Sequence, residues 1–224
     1  KYKDEIKKAE YIKKYGEEYK NALGQVENNI GKPLVSLYDV GEFSTLTEVL
    51  FMERCLRLLR KWGRMGIVLP EWVLNNSNLQ KVREYFEWRA KILLITSIPQ
   101  DVFVASGATV KPSIVFLRKF TEKEETEYAE IKMKAEAAIC VICDPQIQAL
   151  REKLKDTKWK EEKKKLLAEI TLLSEKAENE IKKQIKEKWN YQIAIAEVEK
   201  AGVSTTGSVI ENELAPLARE FTEY

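Results

Sequence analysis

Apolar side chains recur every three or four positions at Tyr2, Ile6, Ala9, Ile12, Tyr15 and Tyr19, the period at which an α-helix returns to one face. The first 20 residues are therefore predicted to form an amphipathic helix. Residues 24–45, with Gly24, Gly31, Pro33 and Gly41, read as a connecting loop. A wider apolar face follows over 46–61, carried by Leu46, Val49, Leu50, Met52, Cys55, Leu56, Leu58 and Leu59. Ser44 or Thr45 can cap its start, with Glu48 three residues after Thr45 as in a capping box. Gly63, just after the basic turn Arg60-Lys61, can end it. The run 64–69, Arg-Met-Gly-Ile-Val-Leu ended by Pro70, then reads as a short buried strand.

The order repeats once. Leu79, Val82, Tyr85, Phe86 and Arg89 fit a helix that Asn76 or Ser77 can cap. Residues 92–98 form an apolar strand ended by Pro99. A loop with Gly107 leads to a third strand over 113–117, closed by Arg118-Lys119. Helix alternating with buried strand places the chain in the α/β class. The character changes after Phe120: residues 121–189 hold no glycine and one proline, and charges of both signs crowd them. Asp144-Pro145 reads as a helix restart. Leu166, Ile170, Leu173, Ala177, Ile181 and Ile185 form a stripe that packs a long helix on a neighbour, within the chain or on a partner. We read 121–189 as a charged helical hairpin inserted between an α/β part (1–120) and a returning segment (190–224). That last segment holds a strand at Ile193, Ile195 and Val198, a turn around Gly202 and Gly207, and a polar tail.

Composition narrows the chemistry. The 224 residues are 44% hydrophobic and 33% charged with a formal net charge of +2, so overall charge does not itself argue for a polyanionic partner. No apolar run reaches membrane-spanning length, and the expectation is a cytoplasmic protein without a membrane segment. The chain opens on Lys1-Tyr2-Lys3 without a start methionine and reads as a fragment. Cys55, Cys140 and Cys143 make a disulfide framework unsuited to this sequence. Histidine is absent altogether, which removes Ser-His-Asp and Cys-His catalysis and His-ligated metals. Cys140-Val-Ile-Cys143 has redox-motif spacing, but without a second Cys pair or a histidine it completes no zinc site. Its apolar neighbours suggest two buried thiols.

One block carries a resemblance. It runs from Glu48 through Cys55-Leu-Arg-Leu-Leu-Arg-Lys-Trp-Gly-Arg-Met-Gly-Ile-Val-Leu-Pro70. It continues through Val73-Leu-Asn-Asn76, Val82-Arg83 and Ser97-Ile-Pro-Gln-Asp-Val-Phe103, and closes on Gly107-Ala-Thr-Val-Lys111 and Ile114-Val-Phe-Leu-Arg-Lys119. In order and spacing this resembles the second half of the N6-adenine DNA methyltransferase domain of type I restriction–modification modification subunits. Ala201-Gly-Val203, Thr206-Gly207 and Glu211-Asn-Glu-Leu214 resemble the ending such proteins show after their last strand. About half of the chain is covered; 121–189 is not.

The resemblance implies a partial methyltransferase-like (Rossmann-like) mixed sheet with a long α-helical hairpin insertion. Strands 64–69, 92–98 and 113–119 are expected in one sheet, the last two antiparallel. It also implies DNA as substrate, S-adenosyl-L-methionine as methyl donor, and a specificity subunit as a partner. The family's glycine-bearing cofactor turn and its Asn-Pro-Pro motif are absent from these residues: no Asn precedes a Pro, and no two prolines adjoin. The chain is therefore expected to begin just after that motif and to be inactive alone. Strand 64–69 would lose a neighbour, so self-association through it, or cover from residues 1–40, is expected.

Family members act on a base flipped out of the duplex, and Phe103 falls where an aromatic stacks on it. An ordinary core Phe at a strand end is the plainer reading. Lys111, Arg118 and Lys119 are candidates for phosphate contact beside that pocket, or simply solvated strand ends. The lysines of 151–165, around Trp159, read as a phosphate grip or as a solvated helical face.

Overall fold

In the computed structural model of the chain, which describes residues 4–223, contacts divide the protein into two units. One holds the described residues through Leu58 together with Val73–Tyr85; the other holds Leu59–Trp72 and everything from Phe86 onward.

The first unit is helical. Helix α1 (Glu5–Asn28) starts on Asp4, whose carboxylate accepts from the Lys7 N–H. It is interrupted at Gly16 (φ 72°, ψ −161°), a conformation that glycine adopts without a Cβ penalty. The helix expected over 1–20 thus becomes two segments and runs on through 24–28, which the glycine at 24 suggests is loop. Lys8, paired with both Glu5 and Glu27, ties the segments together, and Leu23 is buried. Tyr2 lies outside the described residues.

Two 3-10 turns, Leu34–Leu37 and Asp39–Glu42, lead into α2 (Thr47–Leu58). Ser44 accepts from the Leu46 N–H at its start, and Val49, Met52 and Leu56 are buried. The same face buries Glu53 completely. Its carboxylate accepts the N–H groups of Asp39 (3.1 Å) and Val40 (2.9 Å) and pairs with Arg57. Arg57 also donates to the Leu37 carbonyl (3.1 Å), and the Tyr85 hydroxyl donates to Asp39 (3.1 Å). Asn76 caps a 3-10 turn by accepting from Asn78 N–H, ahead of α4 (Gln80–Glu87). The short helix α3 (Glu71–Asn75) precedes it.

The second unit is built on a sheet of β1 (Arg64–Pro70), β2 (Ala90–Ser97), β3 (Pro112–Lys119) and β4 (Ala194–Glu197), in the order β1-β3-β2-β4. β3 is antiparallel to both β1 and β2, and β4 is parallel to β2. The expected mixed sheet is present, with β2 and β3 antiparallel and β1 at one edge. The carboxyl ends of β1, β2 and β4 share one rim with the amino end of β3, where Pro70 pairs with Pro112. The residue that turns the chain before β1 is Trp62 at φ 66° rather than Gly63, whose N–H donates to the Arg60 carbonyl.

Helices α5 (Glu122–Asp156) and α6 (Lys160–Lys188) pack along each other as a hairpin. A capping box joins Thr121 and Glu124 at the start of α5. The restart expected at Asp144-Pro145 does not occur. α5 runs through Pro145, because the neighbouring turns supply enough hydrogen bonds to offset the one that proline removes. Phe120, Tyr128, Ala135 and Ile185 form the buried core at the hairpin base, with Trp189 against it. Cys140 and its neighbours Val141 and Ile142 are exposed, so the two thiols are not both buried as expected. β5 (Ala201–Val203) and β6 (Val209–Asn212) form a separate hairpin, and the expected polar tail is instead helix α7 (Leu214–Glu223).

Candidate functional site

The loop from β2 to β3 shapes the carboxyl rim. Pro99 bars further strand pairing, and a 3-10 helix (Gln100–Ser106) follows, closed by Gly107 at φ 87°. The Phe103 carbonyl accepts from the Ser106 hydroxyl (2.9 Å) and the Ala108 N–H (3.0 Å), and the Ile98 N–H to Pro112 carbonyl bond (3.2 Å) pins the loop's base. Phe103 is half-buried on this short helix. Lys111, at the start of β3, is exposed; its ammonium lies 3.4 Å from Glu71 and its carbonyl accepts the Glu71 N–H at 2.9 Å. Phe103 and Lys111 therefore belong to the same rim.

Arg118 and Lys119 do not. They end β3 at the opposite rim, seven and eight residues from Lys111 along the strand, roughly 25 Å at about 3.3 Å per residue. Arg118 is 7% exposed. Its guanidinium donates two bonds to Glu124 (2.9 and 2.7 Å) and lies 4.2 Å from the centre of the Trp62 ring. The hydrogen bonds from Arg118 hold the Glu124 carboxyl well below the usual carboxylate range, against the opposing effect of burial. Lys119 donates to the Leu59 carbonyl at 2.8 Å, and burial, then the neighbouring Lys61, push its pKa down. Both cations are engaged in holding the fold. The expected grouping of all four residues beside one pocket is corrected accordingly: β3 runs between Lys111 and the Arg118-Lys119 pair and carries them to opposite rims.

That far rim holds a cleft of about 600 Å³ lined by Trp62, Lys91, Lys123, Glu124, Lys188, Trp189 and Tyr191 among others. Lys91 sits 2.9 Å from Glu124, 4.8 Å from the Trp189 ring centre and 5.6 Å from that of Tyr191. The Tyr191 hydroxyl accepts from the Ile92 N–H (3.3 Å), and burial raises its pKa. The sequence marks none of these aromatics as a site residue, although Trp62 lies in the block that resembles the family. The Thr121-x-x-Glu124 spacing was the one signal that could have marked the spot, as a helix start.

The Lys-rich stretch 151–165 is exposed except at Leu154 and Thr157, with Trp159 77% exposed at the hairpin turn. The Cys140 thiol is pushed up by local desolvation and then by Asp144, the direction opposite to a reactive thiolate. Among the described residues no cluster of acidic, Cys or His side chains is placed to hold a metal, and no helix is long and apolar enough to cross a membrane.

Two comparisons place this architecture. A stretch of 91 residues, 41% of the chain, is 28% identical to "Defense against restriction protein B" of Escherichia phage P1. The matched stretch spans only 4% of that protein's length. The family model for N-6 DNA methylase matches residues 40–201, well over half of the chain and all of the four-stranded sheet. The chain belongs to the N-6 DNA methylase family.

Proposed function

We propose that this chain contributes the target-base side of a site-specific adenine-N6 DNA methyltransferase, of the kind that works in restriction–modification systems. The family membership gives the DNA-methylase-like class. The finer reading is supported by the carboxyl rim, where Phe103 is half-buried on a short 3-10 helix and Lys111 leads into β3 on the same rim. A flat ring held this way can stack on an extruded base, and a lysine beside it can meet a phosphate. The name of the phage relative, defense against restriction, fits the same setting.

The methyl donor of such enzymes is S-adenosylmethionine, and the Asn-Pro-Pro motif that accompanies it in such enzymes does not occur in this sequence. β1 and β2 leave their carboxyl ends through Pro70 and Pro99, without the glycine turn whose N–H groups could approach a cofactor. Without that pocket and the Asn-Pro-Pro motif, positioning of both reactants is missing, so no transfer step is assigned to these side chains. Calorimetry of the chain with S-adenosylmethionine should show no saturable binding; micromolar binding would overturn this division of labour. In a longer protein that carries the missing motifs, Phe103→Ala should lower methylation at least tenfold while leaving the melting temperature nearly unchanged. Equal losses of folding and activity would sink the stacking role.

A second reading, a protein-interaction module, is favoured by the exposure of Val141 (77%) and Ile142 (60%) on α5. A specificity subunit on the hairpin, or a second copy on the β1 edge, would be the partner. Loss of such binding on Ile142→Lys, or light scattering for self-association, tests it.

A further inference from the structure

The cleft at the amino rim of the sheet sets three lysines, Lys91, Lys123 and Lys188, against two carboxylates, Glu124 and Glu127, with a row of cations on the sheet behind it. Arg118 is the register partner of Arg64 on β1 and of Lys91 on β2. Cross-strand partners project to the same face, so three cations stand in a row. Like charges side by side are unfavourable, and Glu124 offsets two of them, bonded to both Arg118 and Lys91. Exposed Lys123 and Lys188 add further charge to the same cleft.

The aromatic groups are disposed differently from core residues. Trp62 is 55% exposed, with one ring face on the Arg118 guanidinium and the rest of the indole open. Its backbone sits at φ 66°, an unfavourable conformation for a large side chain, and its ring lines the cleft.

An open indole backed by a guanidinium and flanked by lysines suits a ligand that joins a planar ring to an anion. The geometry points to a nucleotide site here: the base stacks on Trp62, and the phosphate meets Lys123 and Lys188. The nucleotide is either free or one unit of a single strand. The inference goes beyond the methyltransferase reading and stands apart from it, because this rim is the one away from Phe103.

The test is fluorescence anisotropy of the whole chain with a fluorescein-labelled single-stranded oligonucleotide, with adenosine monophosphate and inorganic phosphate as competitors. Trp62→Gly removes the ring while placing at φ 66° the residue that tolerates it best. It should weaken strand binding about tenfold, the scale of one lost base–aromatic stack, and Trp62→Phe should recover most of it. Lys188→Glu should weaken binding and flatten its salt dependence, whereas the same charge reversal at exposed Lys176 on α6 should not. Competition by adenosine monophosphate that disappears in Trp62→Gly assigns the site to free nucleotides. A Trp62 effect on the strand without such competition assigns it to a strand. Absence of binding by the unaltered chain, wild-type affinity in Trp62→Gly, or equal losses in Lys188→Glu and Lys176→Glu would overturn the inference. If thermal melting shows that Trp62→Gly unfolds, the Lys188 and Lys176 pair decides it.

Discussion

Gly66 on β1 and Phe116 on β3 are cross-strand partners, and the Phe116 ring occupies the space a side chain at 66 would need. A Cβ built on Gly66 would lie 2.8 Å from Phe116 Cε1. The ring cannot simply swing aside, because Phe221 of α7 packs against it with centroids 5.8 Å apart. Gly66→Ala should therefore destabilise the protein by about 1–3 kcal/mol, the usual cost of overpacking. In a Phe116→Ala background the same change should be neutral or stabilising, since alanine then gains over glycine in a strand. Urea unfolding of the four proteins of this cycle measures it; additive losses would show that the ring is not the obstacle.

Glu124 couples the sheet to the hairpin. It caps α5 through Thr121 and holds Arg118 and Lys91, with its side chain 15% exposed. Its carboxyl is depressed in the folded state, so the stability it contributes is present above its ordinary value near 4.5 and is lost as pH falls below that. Glu124→Gln should cost on the order of 2 kcal/mol at neutral pH, since it leaves Arg118 buried beside a weaker acceptor. As pH falls from 4.5 toward the depressed folded value, the gap between the variant and the parent should narrow progressively. Denaturant midpoints measured across acidic pH check both, and parallel curves at all pH values would refute the assignment.

How much of this was legible beforehand depended on the kind of signal. β1, β2 and β3 stood out because each is an apolar run, and the first two end at proline. The hairpin was legible from the absence of glycine and the stripe ending at Ile185. Which rim each end of β3 reaches was not: the antiparallel pairing of β3 with β1 and β2 puts Lys111, and not Arg118, beside the ends of those strands. Glu53 was invisible for a related reason. A carboxylate in an amphipathic helix is normally solvated, and its backbone partners, Asp39 and Val40, lie in a stretch without periodicity.

Pro145 was the misleading signal, and it yields a prediction. It lies inside α5, where it removes one backbone hydrogen bond and crowds the carbonyl four residues earlier. Its side chain is exposed, so a replacement forfeits little packing. Pro145→Ala should raise stability by about 1–3 kcal/mol and show as a higher melting temperature. A lower melting temperature would mean that the proline is needed to set the path of α5.

The last prediction concerns Glu53, an acidic side chain that is fully buried. Burying a carboxylate is costly unless it is paired and hydrogen-bonded. Here two backbone N–H groups and Arg57 supply that compensation. Arg57 reflects the bargain: burial alone pushes its pKa down, but Glu53 and Asp39 outweigh that and the net direction is up. The consequence is that the 3-10 turn Asp39–Glu42, which has no side-chain cap of its own, takes its order from α2. Glu53→Gln keeps the shape but loses the charge, and should cost about 2–3 kcal/mol. Glu53→Ala also leaves Arg57 without its closest carboxylate and should cost about 3–5 kcal/mol. In Glu53→Gln the Asp39 and Val40 amides should exchange with solvent faster at temperatures where α2 remains protected. Unchanged exchange at those two amides, alongside a lowered stability, would show that Glu53 stabilises α2 itself and not the turn before it.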